Sequence, residues 1–135
     1  MSLEIRETER EGITILAMKG RLTVGEASGI REKVNELLAQ GRKNFIFDLA
    51  QVDYIDSTGL GAMVICFTTI KKTEGVLKLL NLNKRNIELL LLTKLHTIFE
   101  VFSDEQDAVN SFFPDREIKR FDILSFVQEH QSQEE

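Results

Sequence analysis

A short polar stretch, residues 53–61, limits most strongly what this chain can fold into. It follows an apolar run at residues 44–49 and precedes an apolar-periodic segment at residues 60–70. A run apolar on both faces is typical of a strand inside a covered sheet, and the three- and four-residue spacing that follows is typical of a helix. Carboxylates, two hydroxyls and two glycines lie between them. This composition predicts a strand-to-helix turn that displays a small polar group at a helix N-terminus.

Strand and helix patterns alternate along the rest of the chain. The predicted strands are residues 4–11, 13–18, 44–49, 76–80 and 98–102, and the predicted helices are residues 27–38, 60–72, 84–92 and 105–113. Glu11 and Gly12 are predicted to turn the first hairpin, residues 20–25 to form a loop, and Ser103 or Asp104 to cap the last helix. The order β-β-α-β-α-β-α-β-α predicts an α/β fold with a mixed sheet and right-handed crossovers.

Composition and charge exclude several functional classes. A chain of 135 residues is predicted to form one globular domain, and a net charge of −5 argues against binding duplex nucleic acid. The single cysteine, Cys66, excludes an intrachain disulfide and a cysteine-based zinc site, and is read as a packing thiol. No apolar run approaches a membrane span, and the charged first eleven residues contain no signal peptide. A cytoplasmic location is therefore expected.

Catalytic chemistry finds no support in the residue pattern. Neither His96 nor His130 has a serine or cysteine partner in a recognisable arrangement, so no enzyme, cofactor or metal site is predicted. Asp48 interrupts the apolar run and is interpreted as a strand end or a hydrogen-bonded buried carboxylate. Residues 89–92 are all leucine, and one or two of these are expected to be exposed.

Ser57 has two interpretations from the residues alone. Either Ser57 or Thr58 caps the following helix, or Ser57 accepts a phosphoryl group. A helix start offers free backbone N–H groups and the positive end of a dipole, which tolerate a dianion. A phosphoryl group there would place an unpaired charge on any surface that docks against the turn.

The sequence Asp56-Ser-Thr-Gly-Leu-Gly61, preceded by Val52-Asp-Tyr-Ile55, closely resembles the signature of STAS domains, specifically bacterial anti-sigma factor antagonists. The resemblance spans roughly residues 3–113 and includes residues 20–23 and 77–81. It implies a mixed sheet with helices mainly on one face and a phosphoserine at Ser57. It also implies that the unphosphorylated form binds an anti-sigma factor that is also a serine kinase. This binding would release a sigma factor. The kinase uses ATP to phosphorylate the antagonist, and a separate serine phosphatase reverses this.

The resemblance also implies a partner surface around Ser57. Its predicted members are Asp56, Thr58, Gly59, Gly61, Thr23, Asn81 and Asn83. Asp56 and Thr58 would shape the contact, and the two glycines would let a partner approach the backbone closely. Thr23 replaces an acidic residue common in this family, and Lys84 begins the next helix where relatives often have proline.

The residues after Pro114 are not part of the usual domain. We therefore predict a STAS domain at residues 1–113 and an extension at residues 114–135, with a short amphipathic helix at residues 121–127. Its apolar residues, Phe121, Leu124, Phe126 and Val127, either cover the domain or pair two chains as a homodimer. The alternative function is a STAS-like structural or assembly subunit of a signalling scaffold or transport complex, in which Ser57 is only a cap.

Overall fold

The computed structural model describes residues 3–119, 121–123 and 126. It confirms the predicted element order and the mixed α/β fold. The strands are β1 Glu4–Arg10, β2 Ile13–Leu22, β3 Asn44–Ile55, β4 Val76–Leu80 and β5 Val101–Phe102. The helices are α1 Ala27–Ala39, α2 Ser57–Lys72, α3 Lys84–Leu92 and α4 Glu105–Asn110, with one 3-10 turn at Leu95–Thr97. Within the described residues, no helix is both long enough and apolar enough to cross a membrane.

One five-stranded sheet, in the order β1-β2-β3-β4-β5, forms the centre of the molecule. β1 pairs with β2 antiparallel, and the remaining neighbours are parallel. The β1–β2 turn contains Glu11 (φ 52°) and Gly12 (φ 84°), and two positive φ values are what a type I′ hairpin requires. Each crossover leads to the next strand, and buried residues of α1, α2 and α3 share one core layer, so these helices pack on the same face.

The core has a layer on each face of the sheet. The larger layer lies beneath α1–α3 and includes Phe45, Phe47 and Met63, all fully buried. The smaller layer lies beneath α4 and is built around Ile46 and Phe102. Cys66 is buried in the larger layer, where burial raises the pKa of its thiol to about 12. It is therefore a neutral packing group near pH 7, as the sequence predicted.

Two β-bulges carry β3 six residues beyond the predicted end at Leu49. At the first bulge, β3 advances three residues, from Asp48 to Gln51, while its partner β2 advances only two. At the second bulge, Asp53 is the extra residue of β3. After Leu49, buried positions therefore recur only at every third residue, at Val52 and Ile55. This three-residue spacing resembles neither a regular strand nor a loop, which is why the predicted strand was too short.

Other element ends also differ from the predictions. β2 continues through Gly20 to Leu22, where a loop was predicted, because Gly20 adopts a φ of 123° beside the second bulge. Strand β5 begins only at Val101, since the N–H groups of Ile98 and Phe99 still donate to the Leu95 carbonyl at the start of the 3-10 turn. Helix α4 ends at Asn110 rather than residue 113, and Asp104 caps it by accepting a hydrogen bond from the Asp107 N–H.

Described residues of the extension pack against the domain itself. Phe121, Ile123 and Phe126 contact the larger core layer, and the Phe121 and Phe126 ring centroids are 5.5 Å apart. These three side chains therefore cover the domain, which is one of the two roles predicted for the extension. Leu124 and Val127 lie outside the described residues, and the homodimer stays a prediction.

The leucines of α3 divide as predicted. Leu90 is buried, and Leu89 and Leu91 are partly buried against the larger core layer. Leu92 is 84% exposed. A single exposed leucine of this kind is ordinary for a folded protein and does not by itself define a contact patch.

Candidate functional site

The predicted site lies at the sheet edge where the parallel strands end. β2, β3 and β4 run in the same direction, so α1, α2 and α3 all begin at this edge. β3 leads into α2 through the single residue Asp56, and Ser57 is the first helical residue. Ser57 and Thr58 are both exposed. The hydroxyl predicted to accept a phosphoryl group is therefore accessible to another protein.

Asp56, rather than Ser57 or Thr58, caps helix α2. Its Oδ1 accepts a hydrogen bond from the Gly59 N–H at 2.7 Å, and its Oδ2 accepts one from the Val24 N–H at 3.2 Å. The alternative interpretation, in which Ser57 or Thr58 caps this helix, was therefore wrong, because the preceding carboxylate accepts the hydrogen bond that such a cap would accept. Within the described part of the chain, the Ser57 hydroxyl has no hydrogen-bond partner.

Removing the Asp56 carboxylate should destabilise the domain. We expect Asp56→Ala to lower the free energy of unfolding by about 1–2 kcal/mol, since it removes the cap of α2 and the link to Val24. Asp56→Asn retains one acceptor oxygen and should show an intermediate loss. Urea unfolding followed by circular dichroism measures both. Equal stability of the alanine variant and the unmodified protein would contradict this assignment of the cap.

Gly59 is a packing residue of the domain. A Cβ built on Gly59 would lie 2.1 Å from the Leu22 carbonyl oxygen, far closer than any real contact. By contrast, a Cβ on Gly61 meets nothing within 4 Å. Gly59 is also buried, so its lack of a side chain lets α2 approach β2 inside the molecule. The prediction was instead that Gly59 lets a partner approach the backbone closely. Contact of a partner with Gly59 or Gly61 stays a prediction.

Asparagine side chains support the part of β3 that extends past β4. The pairing of β3 with β4 ends at Asp48. The Oδ1 of Asp48 accepts a hydrogen bond from the Ala50 N–H at 3.1 Å, within the first bulge. Beyond it, the Val52 carbonyl accepts hydrogen bonds from Asn86 Nδ2 at 3.1 Å and from Asn83 Nδ2 at 3.4 Å. These side chains replace the missing strand, because backbone groups away from water need partners. Asp48 is thus hydrogen-bonded, as one of its two predicted roles required, but it is half-buried and not buried.

Asn83 links this support to α3. Its Oδ1 accepts a hydrogen bond from the Asn86 N–H at 2.8 Å and so caps the helix. Asn81 has a positive φ of 60°, and its Nδ2 lies 3.5 Å from Asp48 Oδ1. Asn81 and Asn83, which were predicted to contact a partner, therefore lie at the end of the sheet that carries the site, and their side chains hold its backbone in place. Buried Asn86 was missed, although a polar residue in the first turn of an apolar-faced helix was a visible signal.

Thr23 lies beside the cap of α2. Its carbonyl accepts hydrogen bonds from the N–H groups of Glu26 and Ala27, which start α1, and the next residue, Val24, is held by Asp56. Thr23 is half-buried and Val24 is 72% exposed. The structure therefore brings the β2–α1 loop and the Ser57 turn together as one surface.

Three residues that the sequence analysis did not assign lie at this edge. The guanidinium carbons of Arg21 and Arg85 are 4.8 Å and 4.3 Å from the Tyr54 ring centroid. Arg21 is the cross-strand neighbour of Tyr54, and Arg85 lies in the first turn of α3. The three side chains come from three separate elements, so only the folded structure brings them together.

Comparisons with known proteins agree with this architecture. The family model described as "STAS domain" matches residues 4–108. The anti-sigma-B factor antagonist of Bacillus subtilis is 35% identical over 109 residues, which cover 81% of this chain and 99% of that protein. The anti-sigma-B factor antagonist of Listeria monocytogenes is 30% identical over 101 residues, covering 75% of this chain and 88% of that protein.

Solved structures show the same fold. A crystal structure of an anti-sigma factor antagonist from Thermotoga maritima superposes with a TM-score of 0.75 at 24% identity, covering 79% of this chain and 92% of that chain. Bacillus SpoIIAA in its phosphorylated form gives a TM-score of 0.65 at 17% identity, covering 81% of this chain and 99% of that chain. At these identities the likeness concerns the fold alone.

Proposed function

Since this chain belongs to the STAS domain family, among the bacterial anti-sigma factor antagonists, we propose that it is a binding module controlled by phosphorylation of Ser57. In its unphosphorylated form it binds an anti-sigma factor that is also a serine kinase, and this binding releases a sigma factor. The chain itself acts by docking, and the kinase and a separate serine phosphatase carry out the chemistry on Ser57.

The exposed, unpartnered hydroxyl of Ser57 is the observation that supports this proposal. Asp56 supplies the cap, so modification of Ser57 does not remove a hydrogen bond on which the helix depends. The positive end of the α2 dipole and the first backbone N–H groups tolerate a phosphate at this position. Phosphorylation can therefore change the surface without unfolding the turn.

The modification cycle is a phosphoryl transfer and a hydrolysis. Ser57 Oγ attacks the γ-phosphorus of ATP held by the kinase, the bond to the β,γ-bridging oxygen breaks, and ADP leaves. The hydroxyl proton passes to a base of the kinase. The phosphatase then adds water to phosphorus, which releases inorganic phosphate and restores the hydroxyl.

Negative charge on Ser57 is expected to prevent docking. A phosphoserine carries about −1.5 to −2 charges at neutral pH. A partner that covers the exposed Ser57 and Thr58 would have to bury this charge without a matching cation, which costs several kcal/mol. The hydroxyl form presents only small neutral groups at the same place.

The direct test is to incubate the purified protein with its cognate anti-sigma factor kinase and ATP and to locate phosphate by mass spectrometry. We expect stoichiometric label on Ser57 and none in Ser57→Ala. Thr58→Ala is the matched control, since Thr58 is the neighbouring exposed hydroxyl and its loss should leave labelling intact. Stoichiometric label on another residue would refute the proposal.

The position of the extension favours this proposal over an assembly subunit. An assembly role would use the apolar residues after Pro114 to hold other chains. Phe121, Ile123 and Phe126 instead pack on the core of their own domain, which leaves them half-buried. Truncation at residue 114 followed by size-exclusion chromatography separates the two hypotheses, because only the assembly role predicts loss of a large complex.

A further inference from the structure

Tyr54 holds two arginine side chains at the edge of the sheet that carries Ser57. Both guanidinium carbons lie within 5 Å of the ring centroid, so they are no more than about 9 Å apart. Arg21 and Arg85 are exposed, whereas Tyr54 is half-buried. We call these three residues the arginine–tyrosine cluster.

Neither arginine is neutralised within the described part of the chain. No ion pair involves Arg21 or Arg85 among residues 3–119, 121–123 and 126. The Asp56 carboxylate accepts hydrogen bonds from two backbone N–H groups, and Glu88 lies 4.0 Å from Lys84. Asp53 is exposed in the second bulge and is the remaining carboxylate next to Tyr54 along β3. The cluster is therefore a local positive site on a chain whose net charge, with these arginines included, is −5.

The cluster lies close to Ser57. Tyr54 precedes Ser57 by three residues, so their Cα atoms are at most about 11 Å apart. Stacking on the ring also restricts the guanidinium groups, which lowers the entropy lost when they bind a ligand. Two ordered, exposed guanidinium groups are suited to bidentate hydrogen bonds with carboxylates.

We propose that Arg21 and Arg85 bind an acidic segment of the anti-sigma factor, in the same contact that Ser57 controls. This inference rests on the proposed function and adds the chemistry of the partner. A protein carboxylate fits better than a nucleic acid, because two arginines in a chain of net charge −5 make too small a basic surface for a phosphate backbone. A phosphoserine at Ser57 would then repel the acidic segment.

The test measures the affinity of the anti-sigma factor for an arginine variant. Two variants of this chain, Ser57→Ala and Ser57→Asp, are first used as baits in a pull-down. The probe is the recombinant form of the protein that the Ser57→Ala bait retains and the Ser57→Asp bait does not. Isothermal titration compares the unmodified antagonist with the double variant Arg21→Gln and Arg85→Gln at low and high salt. We expect the double variant to bind at least about tenfold more weakly at low salt and to lose most of its salt dependence.

A matched control removes the same charge elsewhere. Lys43 and Lys72 are exposed and lie before β3 and at the end of α2, at the opposite edge of the sheet. The double variant Lys43→Gln and Lys72→Gln should keep the affinity of the unmodified protein. The double variant Arg21→Lys and Arg85→Lys keeps the charge but loses the planar fork, so it should recover only part of the affinity.

The outcomes separate this inference from the proposed function. If no protein distinguishes the Ser57→Ala and Ser57→Asp baits, the proposed function fails, and this inference fails with it. If such a protein binds the arginine variant as tightly as the unmodified antagonist, this inference alone is overturned. It is also overturned if the arginine variant changes only the behaviour of the Ser57-phosphorylated form, since the arginines would then pair with the phosphate and not with the partner.

Discussion

Replacing Gly59 with alanine is expected to lower the free energy of unfolding by about 3 kcal/mol. The added Cβ would lie 2.1 Å from the Leu22 carbonyl oxygen and 2.8 Å from both the carbonyl carbon and Cγ of Leu22. Backbone atoms cannot move aside as the end of a flexible side chain can. Helix α2 would therefore have to move away from β2, which would also disturb the hydrogen bond between Asp56 and Leu22. Urea unfolding followed by circular dichroism gives the change directly.

Gly61→Ala is the matched control for this prediction. Gly61 lies in the same helix, two residues further on, and a Cβ there meets nothing within 4 Å. Alanine is favoured over glycine inside a helix, so this variant should be more stable by up to about 1 kcal/mol. Losses of similar size in both variants would mean that helix geometry, and not the contact with Leu22, determines the effect of Gly59→Ala.

A permanent negative charge at Ser57 is expected to weaken binding of the anti-sigma factor by at least about 100-fold, or roughly 2.7 kcal/mol. Ser57→Asp places a carboxylate on an exposed surface that the proposed partner covers. The fold should tolerate it, because an acidic residue in the first turn of a helix is favourable by a few tenths of a kcal/mol. Affinity should therefore fall while the free energy of unfolding stays nearly constant. Isothermal titration and urea unfolding measure the two quantities.

Ser57→Asn separates charge from size. Asparagine has nearly the same shape as aspartate and no charge, so most of the affinity should remain. Ser57→Ala should bind at least as well as the unmodified protein, because it cannot be phosphorylated. An equal loss for the asparagine and aspartate variants would show that space, and not charge, limits docking at Ser57.

The element order was predictable because each segment carries a strong local pattern. The buried positions of α1, such as Ile30 and Val34, recur at helical spacing, and Gly41 takes the positive φ that ends such a helix. The ends of β2 and β3 were not predictable in the same way. Both depend on bulges, and a bulge replaces the period of two with an irregular spacing that no propensity describes.

The position of Ser57 was predicted correctly, but the group that caps its helix was not. Aspartate and serine are about equally good N-caps, so the pattern Asp56-Ser57-Thr58 leaves the choice open. The structure decides it, since the backbone of Asp56 is extended and that of Ser57 is already helical. The arginine–tyrosine cluster was not predictable, because Arg21 meets Tyr54 only through the shifted register after two bulges.

The extra residues in β3 lengthen this segment without exchanging the faces of the sheet. Leu49, Val52 and Ile55 all contact the larger core layer, although successive members are three residues apart. Removal of the extra residue between Leu49 and Val52 would restore the regular spacing of two, with both side chains still on the core face. Homologous chains that show a one-residue gap between positions 48 and 54 can therefore keep the same core, and their serine can be equated with Ser57.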